Sequence, residues 1–175
     1  FAEWLVAGFG PGASVIDPHW ECIDDALKAL RPGLALKRHA CMDLHGWTLL
    51  MTDGPLGTDV GMLPSLAARQ LGCRGIRAVR ADADEPGYPP RILEVYGPQG
   101  TPPFALERTI AAANDGGRWV FETSGTPFAF EDQAAYSRKP RSSRFTGEML
   151  HAYLLALGVP ADAEPDWRTA LVLQE

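Results

Sequence analysis

Four residues, Asn114-Asp115-Gly116-Gly117, constrain this chain more than any others. They stand between two runs of strand composition, Phe104 to Ala113 and Arg118 to Thr123. A two-residue hairpin turn of the favoured hand needs positive φ at its centre, which glycine adopts without steric cost. The two runs are therefore predicted to pair antiparallel. Trp119 and Phe121 then share one face of the second strand, with Val120 on the other. A second turn follows at Ser124-Gly125-Thr126-Pro127, and Phe128-Ala129-Phe130 carries two large aromatics that need burial. The stretch Asn114 to Glu131 reads as the closure of an antiparallel sheet, passing the chain on to a last helix.

The rest of the chain supplies partners for that sheet. Trp4 to Phe9 reads as a short apolar strand. The Gly-Phe-Gly-Pro-Gly that ends it (residues 8–12) is a turn and not a phosphate loop: Pro11 lacks a backbone donor, and no Lys-Ser/Thr pair follows. Asp17-Pro18 is a helix start, with Trp20, Ile23, Leu27 and Leu30 as its core stripe and Pro32-Gly33 as its end. Leu34 to Met42 and Trp47 to Thr52 are predicted strands joined at Asp43-Leu44-His45-Gly46. Asp53 to Asp59 is loop. Leu63, Leu66, Ala67 and Leu71 predict a short amphipathic helix with Pro64 in its first turn and Gly72 as its stop. Arg74 to Arg80 and Arg91 to Tyr96 are further strands, the second ended by Gly97-Pro98. Between them Ala81 to Pro90 is an exposed loop rich in carboxylates and prolines. Residues from Gln133 to Tyr136 turn helical, and Pro140 breaks any helix there. Thr146 caps a final helix with Met149, Leu150, Tyr153, Leu154 and Leu157 inward and Gly158 at its stop. Thr169 to Leu173 is a short terminal strand.

Hairpins and meandering strands with about three amphipathic helices make an α+β fold with a largely antiparallel sheet. A chain of 175 residues is long enough for one sizeable core and short for two, so residues 1–175 are read as a single domain. If the chain has a boundary, it falls near residues 81–90.

Composition excludes several functions. Hydrophobic residues make up 46% and charged residues 22%, which argues against disorder. A net charge of -6 gives no electrostatic pull toward nucleic acid or an anionic membrane. The one basic cluster, Arg138, Lys139, Arg141 and Arg144, lies beside Tyr136 and Phe145. A solvated loop explains it better than strand binding, and Arg138 or Arg144 could pair internally with Glu131 or Asp132. No run approaches the ~18 apolar residues of a membrane span. The first residues lack the basic flank of a signal peptide, although the missing initiator Met leaves room for a trimmed segment. Cys22, Cys41 and Cys73 are too few for a disulfide framework and fit a reducing cytoplasm.

No catalytic, cofactor or metal site emerges from the motifs. His39, Cys41 and His45 are close in sequence but lack the paired spacing of a structural zinc site. There is no Gly-x-Ser-x-Gly elbow. Asp24 with Asp25, Asp82 with Asp84, and Glu131 with Asp132 read as solvated carboxylates, because a useful pKa displacement needs burial or a close like charge.

Gly117-Arg118-Trp119-Val120-Phe121-Glu122, Ser124 to Glu131, Tyr136, Arg144-Phe145-Thr146 and the helix ending at Leu157-Gly158 resemble the C-terminal part of bacterial immunity-type proteins. Those proteins are encoded beside polymorphic, contact-delivered or type VI-secreted toxins. The resemblance implies a non-enzymatic protein that neutralises a cognate toxin by stoichiometric binding, with neither catalytic residue nor cofactor. Its expected partner carries a basic surface, since acidic patches complement one. The expected contact surface is Asp82, Asp84 and Glu85 with Tyr88 on the proline-stiffened loop, together with Glu131 and Asp132. The alternative is a small hydrolase or transferase whose site is assembled from dispersed histidines and carboxylates.

Overall fold

A computed structural model describes residues 1–9, 14–16, 20–30, 38–53, 60–81 and 90–174. In chain order the elements are α1 (Ala2–Phe9), β1 (Ser14–Ile16), α2 (Ile23–Ala29), β2 (Arg38–Leu44), β3 (Trp47–Thr52) and α3 (Leu63–Leu71). They continue with β4 (Gly75–Arg80), β5 (Arg91–Thr101), β6 (Leu106–Asp115) and β7 (Arg118–Gly125). Two short 3-10 turns, Ala135–Ser137 and Arg141–Ser143, precede α4 (Gly147–Ala156) and β8 (Asp166–Gln174). The fold is α+β, with two antiparallel four-stranded sheets. The expected class is borne out. The described residues form two compact units, Phe1–Val60 with Asp162–Glu175, and Gly61–Ala161.

In the first unit the strand order is β1-β8-β2-β3. β2 and β3 form the expected hairpin, with Leu44 opposite Trp47 across a two-residue turn. His45 and Gly46 hold φ of 49° and 89°, the double positive of a type I′ turn. The terminal strand is longer than expected and central, because β8 pairs with both β1 and β2. The core here is Ala26, Leu30, Ala40, Met42, Ala170 and Val172.

Two expectations in this unit need correction. Residues 2–9 are helical, not a strand. A short apolar run has no period that separates strand from helix, and Glu3 in the first turn suits a helix start. The second helix begins at Ile23 with Cys22 at its N-cap, and the expected start, Asp17-Pro18, lies outside the described residues. Ala26 and Leu30 face the core, whereas Leu27 is 39% exposed. Trp20 still packs on that core, and its indole N–H donates to the Ala170 carbonyl at 3.0 Å.

In the second unit the order is β4-β5-β6-β7, a meander of neighbours. Gly116 and Gly117, at φ 58° and 89°, make the predicted turn, with Asp115 opposite Arg118. β5 does not stop at Gly97-Pro98 but runs to Thr101, with a register shift between Tyr96 and Thr101. α3 starts and stops as predicted, with Pro64 in the first turn and Gly72 left-handed at φ 64°. Its buried face, however, is Pro64, Ser65, Ala67 and Ala68, while Leu66 and Leu71 are exposed. Small side chains allow close approach, and a Cβ on Gly75 of β4 would collide with the Pro64 carbonyl.

α4 lies on the sheet. The Thr146 hydroxyl caps it by accepting the Met149 N–H at 3.3 Å. Leu150, Tyr153 and Leu157 join Leu93, Val95, Ile110, Ala112 and Phe145 in one core, with Met149 and Leu154 partly buried against it. Trp119, Phe121, Phe128, Phe130 and Tyr136 pack around that core, so the Phe-Ala-Phe pair finds the burial it needs. The Phe128 and Phe130 rings stack at 5.2 Å.

Candidate functional site

Along β6, Leu106, Arg108, Ile110 and Ala112 fall on alternate positions, and Arg108, Ile110 and Ala112 are fully buried on one face. A guanidinium at the second of these positions is in the core at 2% exposure. An unpaired charge there would be very costly. The segment after β7 supplies its counterion. Glu131, with no exposed side-chain surface, meets Arg108 in a fork: Arg108 Nε donates to Oε1 at 2.9 Å, and Nη2 donates to Oε2 at 2.6 Å.

The remaining polar atoms are satisfied from three directions. Arg108 Nη1 donates to the carbonyls of Ser124 and Gly125, both at 3.0 Å. Glu131 Oε1 also accepts the Phe128 N–H at 2.9 Å, and Oε2 accepts the Tyr136 hydroxyl at 2.8 Å. The Tyr153 hydroxyl lies 3.4 Å from that of Tyr136 and accepts the Asp132 N–H at 2.7 Å. One carboxylate thus accepts four hydrogen bonds, and together with Arg108 it ties β6, the end of β7, the following loop and the first 3-10 turn.

The electrostatics follow from this geometry. Burial works against charge on Glu131, but the Arg108 hydrogen bonds, the Phe128 N–H and the Tyr136 hydroxyl outweigh it and hold the carboxyl below its ordinary range. Burial likewise opposes charge on Arg108, and Glu131 overcomes it, raising the guanidinium further. Burial, then the Tyr153 and Glu131 contacts, push the Tyr136 phenol well up. Every group is locked into the protonation state that its neighbours need. A general acid or base needs the opposite, a pKa poised near the working pH.

A second feature is a cleft of about 240 Å³ lined by Arg80, Ala81, Arg91, Ser142, Thr146, Gly147 and Glu148. Its polar groups are two guanidiniums, two hydroxyls and one carboxylate. The Thr146 hydroxyl, and to a lesser degree the charges of Arg80 and Arg91, hold the exposed Glu148 carboxyl below its usual range.

Of the acids expected on a contact surface, Asp82, Asp84 and Glu85, with Tyr88, lie outside the described residues. Asp132 is on the surface, its side chain 47% exposed, and pairs with Arg138 at 3.0 Å. That internal pairing was foreseen. Glu131 is not at the surface: its carboxylate belongs to Arg108, a residue that no sequence motif marks. The available signal was the alternation of β6 itself, which places one cation among inward-facing apolar residues and so calls for a buried acid.

The residues weighed for metal and nucleophilic chemistry stand apart. His39 and Cys41 are buried on β2, and burial pushes the Cys41 thiol up. His45 sits in the β2–β3 turn, and Cys22 and Cys73 are free thiols. Among the described residues no three His, Cys, Asp or Glu side chains gather at metal-binding distance. No described helix is long and apolar enough to cross a membrane. Comparisons with protein-family models, with curated proteins and with solved structures give no match.

Proposed function

We propose that this chain acts by stoichiometric protein binding, as a cytoplasmic immunity protein that neutralises a cognate bacterial toxin presenting a basic surface. The observation that carries this reading is the Arg108–Glu131 clamp. It pins Ser124 to Tyr136 to the sheet from beneath while Thr126, Pro127, Ala129, Asp132 and Gln133 stay exposed above it. A loop ordered in advance loses less conformational entropy when it meets a partner. The residues that resemble immunity-type proteins, 117–158, include this clamped loop and the helix packed beside it.

The charge balance supports the same reading. A net charge of -6 favours encounter with a cationic protein surface, such as the groove of a toxin that acts on an anionic substrate. Asp132 on the clamped loop, and Asp82, Asp84, Glu85 and Tyr88 in the acidic segment, remain the contact residues of the proposal; Glu131 supports the loop that carries Asp132.

Co-expression with the product of the adjacent reading frame tests it. A complex that co-purifies, weakens as salt is raised, and is weakened by Asp82→Lys with Asp84→Lys or by Asp132→Lys is the expected outcome. Failure of the two folded proteins to associate would overturn the proposal. So would a small-molecule turnover activity abolished by changing one of the histidines, which belongs to the hydrolase or transferase alternative.

A further inference from the structure

β7 ends the order β4-β5-β6-β7, so one of its sides meets no described strand. Asp115 and Arg118 flank a two-residue turn as a hydrogen-bonded pair. The ladder therefore takes the N–H and C=O of Arg118, Val120, Glu122 and Ser124, and turns those of Trp119, Phe121 and Thr123 outward. The outward Trp119 carbonyl accepts Arg141 Nη1 at 3.4 Å, as that sense requires. Among the described residues none pairs with the N–H or C=O of Phe121 and Thr123. The register has no bulge and the strand no proline, the devices that blunt an exposed edge. Two cations stand beside it. Arg144 holds its guanidinium carbon 5.7 Å from the centre of the Phe121 ring, with Nε donating to the Arg138 carbonyl at 2.8 Å. Arg141 lies two strand positions away, at Trp119. Arg138 is paired with Asp132, but among the described residues neither Arg141 nor Arg144 meets a carboxylate.

We infer that the β7 edge takes up an extended acidic segment of another polypeptide as a further strand of this sheet. Main-chain bonds to Phe121 and Thr123 supply the affinity of such an added strand, and its side chains supply the selectivity. Side chains alternate along a strand, so ligand positions two apart share the face of Trp119 and Phe121. Carboxylates at that spacing meet Arg141 and Arg144, whereas lysines there meet like charge. The net charge of -6 opposes an acidic ligand at long range, so the two arginines select at contact and do not steer the approach. This surface goes beyond toxin binding, whose expected partner is basic, and does not depend on it.

Fluorescence anisotropy of a short labelled peptide of alternating glutamate and valine, titrated with the full chain, tests the inference. Saturable binding with a dissociation constant below about 1 mM is expected. Two control peptides separate the parts of the recognition. One carries lysine in place of glutamate, and the other has methylated backbone nitrogens that cannot donate to a ladder; both should bind much more weakly. Arg141→Gln and Arg144→Gln should each weaken binding about two- to fivefold, the worth of an exposed ion pair. Arg141→Glu with Arg144→Glu should abolish it. Thr123→Pro removes an outward donor at an edge position, where proline is tolerated, and should weaken binding while circular dichroism shows the fold retained. Binding indifferent to the lysine exchange, to methylation or to the double arginine change would overturn the inference, as would no saturable binding by the folded wild-type chain. A dimer of the free chain that Thr123→Pro dissolves would also overturn it, by making a second copy the occupant of the edge. The titration contains no toxin, so none of these results decides whether one is bound.

Discussion

Arg108 and Glu131, 23 positions apart, form a two-pronged ion pair with side chains 2% and 0% exposed, closing at 2.6 Å and 2.9 Å. Desolvating two charges offsets much of their attraction, so the intact pair is not where net stability comes from. Its effect is on specificity: it allows one placement of the Ser124 to Tyr136 segment on β6. Removing one partner strands the other. Arg108→Met alone, or Glu131→Leu alone, is expected to lower unfolding free energy by about 3–5 kcal/mol in urea titrations. The double variant should lose clearly less than the sum of the two, a coupling of about 1–3 kcal/mol. Strict additivity would show that the pair does not act as a unit.

The clamp should also be visible in the pH dependence of stability. Folding lowers the Glu131 pKa, so its contribution is complete above the ordinary value of 4.5 and is lost as pH falls through the lower folded value. Tyr136 shifts the other way. Its contribution is complete below the ordinary value of 10.0 and is lost as pH rises through the higher folded value. Stability measured by urea unfolding across pH should therefore decline at both ends. Glu131→Gln should flatten the acid limb below about pH 4.5, and Tyr136→Phe should flatten the alkaline limb above about pH 10. Limbs identical to wild type in these variants would mean that other groups set them.

Gly125 is where the clamp meets the backbone. It holds φ at 81°, its carbonyl accepts Arg108 Nη1, and an added Cβ would collide with the Glu107 carbonyl. That atom is backbone and cannot swing aside. Gly125→Ala is expected to cost about 2–3 kcal/mol in denaturant unfolding, well above the ordinary cost of a surface substitution. A change within about 0.5 kcal/mol would show that the turn relaxes freely.

The β2–β3 turn offers a gain instead. His45 sits at φ 49°, a region asparagine enters more readily than most residues. Asp43 already braces the turn, its carboxylate accepting the His45 N–H at 3.1 Å and the Gly46 N–H at 3.4 Å. His45→Asn makes the favoured Asn-Gly pair and should raise stability by about 0.5 kcal/mol, seen as a higher urea midpoint.

What the residues announced in advance divides along physical lines. Both hairpins were readable because Gly46, Gly116 and Gly117 meet a local requirement, positive φ, that few residues fulfil. Thr146, Gly72 and Gly158 were readable for the same reason, since a cap is a contact within one turn of chain. The helix at residues 2–9 was misread because its apolar run is too short to show a period. Leu27, Leu66 and Leu71 were placed inward by their three- and four-residue spacing; Ala67 of the same stripe is buried as expected, but Ala26 and Ala68 take the places of the three leucines, because close packing depends on what lies opposite. The Arg108–Glu131 pairing joins a strand to a loop beyond the next strand. Its only trace in the sequence is a cation at an inward position of β6, and the identity of the answering acid was a matter of three-dimensional packing. Glu131 was expected at the surface beside Asp132 and is instead buried against Arg108.

The most direct test of the account is a titration of toxin activity. The adjacent gene product, held at a concentration well above the dissociation constant, is mixed with increasing amounts of this chain and its residual activity is read after brief incubation. A stoichiometric binder lowers the activity in a straight line that reaches its floor at one chain per toxin. Complete silencing by a small fraction of an equivalent, deepening with time, would mean that the chain turns its target over, and would contradict the account.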